Sequence, residues 1–156
     1  MGTVKPPLLA QMAGHRVYID TNVFIYFLQR DEVFFPVAAE IIKACAEGTI
    51  LGVTGDLAVA EVMVHPYRSG DATLIARCRQ FFRQKDFLTV LPHESRLFDE
   101  AAMIAGQRRL KLIDAIHYHT ALQNGCRFLI THDKRLSIAD PDAPLQPVYL
   151  ADLLAG

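Results

Sequence analysis

Apolar residues fall into two kinds of run along this chain. Dense runs of four or five residues bounded by turn formers read as buried strands, and longer stretches with apolar positions three and four apart read as amphipathic helices. Val17 to Asp20 is the first strand, and Thr21-Asn22 supplies capping chemistry for an apolar helix from Val23 to Leu28. Pro36 suits the first turn of a helix reaching about Glu47, with Val37, Ile41 and Cys45 on one face and Gly48 as its stop. Ile50 to Thr54 is a second strand, followed by a helix from Leu57 to about His65 that Pro66 should end. Asp71 caps a helix carrying Leu74, Cys78 and Phe81, and a third strand covers about Phe87 to Leu91. Helices follow from about Glu94 to Arg109 and from Asp114 to Gln123, the second closed by Asn124-Gly125. Arg127 to Thr131 is a fourth strand, Pro147 to Leu150 a weak fifth, and Ala151 to Leu154 a short final helix.

Strands that alternate with amphipathic helices imply an α/β fold, here a three-layer α/β/α sandwich around a central parallel sheet of four to five strands. In such sheets ligands bind beyond the C-terminal ends of the strands. With 156 residues and no internal repeat or Pro/Gly/Ser linker, a single domain over residues 17–154 is expected. Residues 1–16 carry a Pro-Pro pair and no periodicity, and read as a poorly ordered N-terminal extension.

The net charge of -1 removes any argument for an extended basic face, so contact with a polyanion must be local. Arg77, Arg79, Arg83 and Lys85 form one basic group that could meet phosphates; the plainer reading is a solvated helix face. Cys45, Cys78 and Cys126 are odd in number, far apart and in apolar surroundings, as reduced core thiols are. No run of 18 apolar residues exists, so no membrane partner is expected and the protein reads as cytoplasmic.

Against this background four carboxylates stand out. Asp20 ends the apolar run of VYIDTN, Glu61 interrupts LAVAEVMV, Asp114 opens the helix of LIDAIHYHTAL, and Asp133 follows the strand of FLITHDKRL. A buried carboxylate is strongly disfavoured unless it is paired, protonated or bound to a cation. Each has a plainer explanation taken alone: Asp20 and Asp114 as helix-start residues, Asp133 as a turn residue. Glu61 resists that treatment, since its helical neighbours on every face are apolar.

If the fold gathers the four acids, they form an all-oxygen site that selects Mg²⁺ or Mn²⁺, ions that keep several waters and take remaining ligands from a phosphate. Zinc fits less well, because His117 and His119 point about 200° apart on a helix and cannot chelate one ion. His117 is expected to pair with Asp114, and His119 to be a satisfied core histidine. Two carboxylates about 5 Å apart repel by roughly 3 kcal/mol at an effective dielectric near 20. Without metal, one of the four should therefore hold a proton. The reaction class implied is phosphodiester hydrolysis.

The strings IDTNVFIYFL, LAVAEVMV, LIDAIHYHTAL and FLITHDKRL, in this order and spacing, resemble the PIN-domain ribonucleases, and most closely the VapC-type toxins of toxin-antitoxin systems. The resemblance covers about Val17 to Leu150. It implies a divalent-metal-dependent endoribonuclease whose metal site is made by Asp20, Glu61, Asp114 and Asp133, with Asn22 and Thr131 supporting metal or phosphate. It also implies an RNA substrate, an antitoxin partner that blocks the acidic site with a basic side chain, and a homodimer. Two other readings remain: a catalytically silent module that binds RNA or a peptide on the same scaffold, and a small phosphomonoesterase with Asp20 as nucleophile. The latter pattern has a second Asp two positions on, where this chain has Asn22.

Overall fold

The computed structural model describes residues 6–84, 86–134 and 143–154. Their elements, in chain order, are α1 (Pro6–Met12), β1 (Arg16–Ile19), α2 (Thr21–Leu28), α3 (Phe35–Ala46), β2 (Leu51–Gly55), α4 (Asp56–Ser69), α5 (Ala72–Arg83), β3 (Leu88–Leu91), α6 (Ser95–Arg108), α7 (Leu112–Gln123), β4 (Phe128–Thr131), β5 (Gln146–Tyr149) and α8 (Leu150–Leu153). The five strands form one sheet in the order β3-β2-β1-β4-β5, and every pairing is parallel. The three-layer sandwich expected from the pattern is the fold observed.

The register sorts side chains between the two faces. Tyr18 lies opposite Val53 on one side and Leu129 on the other, so all three point to the same face, where they pack with Tyr118 and Ala121 of α7. Val17, Ile19, Phe128 and Ile130 point to the opposite face and join the larger core with residues of α2, α3, α4 and α5. Ile19 and Ile130 are fully buried. Burying two aliphatic side chains is worth roughly 3–6 kcal/mol, several times the ~1 kcal/mol of a helix cap. Packing, rather than capping, therefore holds the β1–α2 junction in place.

Three elements differ from the pattern reading, each for a local reason. Helix α4 does not stop at Pro66 but runs through it to Ser69, ending at Gly70 in the left-handed conformation at φ 69°. The proline removes one backbone donor, and its burial in the core together with the glycine stop compensates. Asp114 does not open α7: the helix begins at Leu112, and Asp114 lies in its first turn. Of the segment expected to be a poorly ordered extension, residues 1–5 lie outside the described residues, and residues 6–16 carry α1 and pack on the fold. Met12 is buried, Leu9 packs on the main core, and the Gly14 amide donates to the Thr49 carbonyl at 2.8 Å.

Close approach explains Gly52 in β2: a Cβ there would stand 2.6 Å from Cys45 Sγ and 3.3 Å from Leu88 Cδ1. Gly52→Ala should lower stability by about 1–3 kcal/mol through overpacking, as read from the urea midpoint. Adding Cys45→Ala, which deletes the sulfur, should return part of that loss; strict additivity in the double-mutant cycle would mean that the clash is relieved elsewhere.

Candidate active site

The sheet order places a topological switch at β1. Its neighbours β2 and β4 belong to connections that leave in opposite directions, and side chains at its C-terminal end face the crevice between them. Asp20 occupies that end. Its amide donates to the Ile130 carbonyl of β4 at 3.0 Å, and as N-cap of α2 its Oδ1 accepts the Thr21 amide at 2.7 Å. Oδ2 accepts the Thr131 hydroxyl at 2.7 Å. Having donated its one hydrogen, the same hydroxyl accepts the Asp133 amide at 3.1 Å. Thr131 thus ties the buried Asp20 to the turn that carries Asp133, which is half-buried.

Glu61 reaches the same crevice from α4. Helical spacing turns it away from Val62 and Met63, which are buried in the main core. Its Oε1 accepts the Thr21 hydroxyl at 2.8 Å and lies 2.6 Å from His117 Nε2. That nitrogen is also 3.2 Å from the Thr21 hydroxyl oxygen and 3.6 Å from Asp20 Oδ1, the latter a charge contact rather than a hydrogen bond. The Tyr18 hydroxyl meets His117 Nδ1 at 2.7 Å. Tyr18, Thr21 and His117 are all buried.

The partners set the proton positions. An ionised carboxylate only accepts, so His117 Nε2 carries hydrogen toward Glu61. Burial opposes charge on the ring, but the hydrogen bond to Glu61 and the charges of Asp20, Glu61 and Asp114 outweigh it and raise the His117 pKa. Burial likewise opposes charge on Glu61, and the bonds from His117 and Thr21 and the imidazolium charge still hold its pKa below the usual range. Burial, with Asp20 nearby, keeps the Tyr18 phenol protonated. Sequence reasoning paired His117 with Asp114; the ring faces Asp20 and Glu61 as well, and Asp114, half-buried in α7, acts on it through charge.

Other anticipated groups lie elsewhere. Asn22 is half-buried in the first turn of α2 and makes none of the bonds above. Arg77, Arg79 and Arg83 are exposed on α5. Arg79 engages Tyr67, with Nε 3.0 Å from the hydroxyl and the guanidinium 5.2 Å from the ring centre. Arg79 and Arg83 line a shallow pocket with Val59 and Met63 of α4. Those positions are two residues either side of Glu61, about 200° around the helix, so these arginines flank the far side of α4 from the acids. Lys85 lies outside the described residues. His119 is satisfied at one nitrogen: Nε2 meets Glu100 at 2.5 Å, while the buried Nδ1 has no hydrogen-bond partner among the described residues.

Sequence reasoning missed Tyr18 and the second role of Thr21. The signal was available: Tyr18 and Asp20 are two apart in a strand and share a face, and His117 is three after Asp114 on one helix. Missed too was His93, which follows β3 and accepts the Leu57 amide through Nε2 at 3.1 Å, capping the helix that carries Glu61. A Cβ on Gly55 would stand 2.5 Å from the His93 ring, which accounts for the glycine there. Burial and the His117 charge lower the His93 pKa against the pull of Asp56, so the neutral ring keeps its acceptor.

Among the described residues no group of three or more His, Cys, Asp or Glu side chains stands in a metal-holding arrangement. His117 Nε2 lies against both Asp20 and Glu61, 3.6 Å from the one and 2.6 Å from the other. The two carboxylates still fit Mg²⁺ or Mn²⁺, which bind through one or two carboxylates and complete their shells with water and phosphate.

The two histidines give opposite pH dependence to the metal-free protein. His93 has a folded value below its ordinary 6.5, so its contribution is complete above 6.5 and is lost as pH falls through the folded value. His117 has a folded value above 6.5, so its contribution is complete below 6.5 and is lost as pH rises through the folded value. In chelator, the unfolding free energy separating wild type from His93→Gln should grow with pH, and that separating wild type from His117→Gln should shrink. Either difference running the other way would place the proton elsewhere.

The family model for the PIN domain matches residues 17–140. No individually curated protein matches the chain. Among solved structures, a toxin-antitoxin complex from Klebsiella pneumoniae is similar at a TM-score of 0.62 and 18% identity, over 83% of this chain and 94% of that one. VapC20 of Mycobacterium tuberculosis, a sarcin-ricin loop cleaving toxin, gives 0.64 at 14% identity, over 79% and 94%. VapBC2 of Rickettsia felis, bound to a DNA fragment from its promoter, gives 0.64 at 12% identity, over 86% and 98%. Matched by the family model over most of its length and folded as these structures are, the chain belongs to the PIN domain family.

Proposed function

We propose that this protein is a divalent-metal-dependent endoribonuclease, the VapC-type toxin of a toxin-antitoxin pair. The observation that carries the reading is the meeting of Asp20 and Glu61 at the sheet's switch point, each held by a threonine hydroxyl. Family membership and the toxins among its structural relatives support it. One similar structure is a sarcin-ricin loop cleaving toxin, one a toxin-antitoxin complex and one VapBC2 on promoter DNA, which favours an RNA substrate and an antitoxin partner here. A homodimer and a cytoplasmic location belong to the same reading; among the described residues no helix is long and apolar enough to cross a membrane.

Asp20 and Glu61, with Asp114 and Asp133, would hold Mg²⁺ or Mn²⁺. Bound there, the ion supplies Lewis acidity toward the scissile phosphate and lowers the pKa of water. The chain's own residues do the positioning. Thr131 fixes Asp20 and the following turn through one hydroxyl, and Thr21 sets Asp20 through its amide and Glu61 through its hydroxyl. Asn22, in the first turn of α2, and Thr131 are the polar groups assigned to support metal or phosphate. Arg77, Arg79, Arg83 and Lys85 would serve only RNA that extends past α4. The alternative, a silent binding module, is favoured by one observation: among the described residues no group of three or more acidic, histidine or cysteine side chains stands in a metal-holding arrangement.

Asp20→Asn should reduce cleavage of a structured RNA by on the order of a hundredfold or more, and chelation should do the same to wild type, with recovery on adding Mn²⁺. The amide can no longer accept the Thr131 hydroxyl through its nitrogen, so this variant should also lose about 1–3 kcal/mol of stability in chelator. Wild-type cleavage by Asp20→Asn, or by wild type in chelator, would refute the nuclease assignment.

A further inference from the structure

Glu61 presents its two oxygens very differently. Oε1 has two lone pairs in the carboxylate plane, and two protein donors approach it: the Thr21 hydroxyl at 2.8 Å and His117 Nε2 at 2.6 Å. Both donors are immobilised. Thr21 is in the first turn of α2, beside the Asp20 cap. The His117 ring is 2% exposed, projects from α7 and is anchored at its other nitrogen by Tyr18 at 2.7 Å. The carboxylate itself is not sealed in, since the Glu61 side chain is 29% exposed.

We propose that His117 is a positioning residue for Glu61: with Thr21 it fills Oε1, so that Glu61 meets a metal ion or its water through Oε2 alone. The assignment rests on the metal-dependent reading of the site and adds to it which oxygen acts and what aims it. Three elements converge on the arrangement. β1 sends Tyr18 to the face of the sheet that α7 covers, α7 sends His117 back toward the strand end, and α4 brings Glu61 across from the other side of Asp20. A metal-bound histidine is commonly aimed by a carboxylate behind it. Here the polarity is reversed, with a histidine behind the carboxylate and a tyrosine behind the histidine.

The geometry also separates His117 from a metal ligand. Its Nε2 N–H is already directed at Glu61 and Thr21, and Nδ1 meets Tyr18, so neither nitrogen is available without breaking a bond. The consequence for function is a Glu61 whose position is set before any ligand arrives. No rotamer search is then left for the moment of binding.

The test measures Mn²⁺ binding by electron paramagnetic resonance and records imidazole N–H protons by nuclear magnetic resonance in chelator. His117→Leu should weaken Mn²⁺ binding about 10- to 100-fold, and His117→Gln, which keeps a donor near Nε2, should recover most of it. Tyr18→Phe, a milder change, should produce a smaller loss and guards against a folding defect in the leucine variant. Wild type should show a slowly exchanging, low-field Nε2 proton that disappears in Glu61→Ala. Equal or tighter Mn²⁺ binding by His117→Leu would make the ring a competitor of the metal, and nitrogen coupling in the Mn²⁺ spectrum would make it a ligand; either result overturns the proposal and leaves the nuclease reading intact. Wild type that binds no Mn²⁺ while keeping the low-field proton would overturn both, reducing the bond to a structural tie.

Discussion

Like charges brought together at a strand end require an opposing charge, and the whole site is arranged around how this chain supplies one. At about 5 Å and an effective dielectric near 20, two carboxylates repel by roughly 3 kcal/mol, a sizeable share of a domain's net stability. Among the described residues the basic group facing Asp20 and Glu61 is the His117 imidazole. A lysine or arginine there would be a permanent competitor for a divalent ion. A histidine is a cation whose charge depends on its neighbours, and these neighbours favour it.

The position of that histidine follows from the sheet. Side chains two apart in β1 share a face, so the residue ending the strand and the tyrosine before it both look toward the α7 layer. Because β1 lies between β2 and β4, its C-terminal end is the one place where helices from both halves of the chain can approach the same carboxylate. Glu61 arrives from the half that follows β2, and His117 and Thr131 from the half that ends in β4. Local sequence chemistry then finishes the work: a threonine after the first acid and a threonine two before the last supply hydroxyls that donate to one acid and accept elsewhere.

Much of this could be read from the chain. Parallel strands with covering helices leave dense apolar runs, and those runs located the five strands to within a residue or two. The acids were visible because each interrupts such a run. Less legible were the features that depend on contacts between distant segments. Pro66 has a strong local preference to end a helix, and only its burial and the glycine four residues later show why α4 continues. His93, His117 and Tyr18 look like ordinary core residues until the strand order brings them beside α4 and Asp20. The basic run on α5 was visible in the sequence but not its placement, since charge density along a helix does not say which side of its neighbour it covers. In the N-terminal segment, Leu9 and Met12 of α1 reach the core, a spacing too short to stand out as a pattern in the sequence.

The pairing of β1 with β4 joins Val17 to Phe128, and the hydrogen bond that fixes Asp20 comes from Thr131, 111 residues later. During synthesis, therefore, the chain must extend through Thr131 before its first acid has its hydroxyl partner or a completed crevice. Parallel pairings across such separations are among the slowest to form. A nascent chain shorter than this holds Asp20 and Glu61 but not the strand that unites them with the remaining groups. The order of elements along the gene thus delays assembly of the acidic centre until β4 has been made.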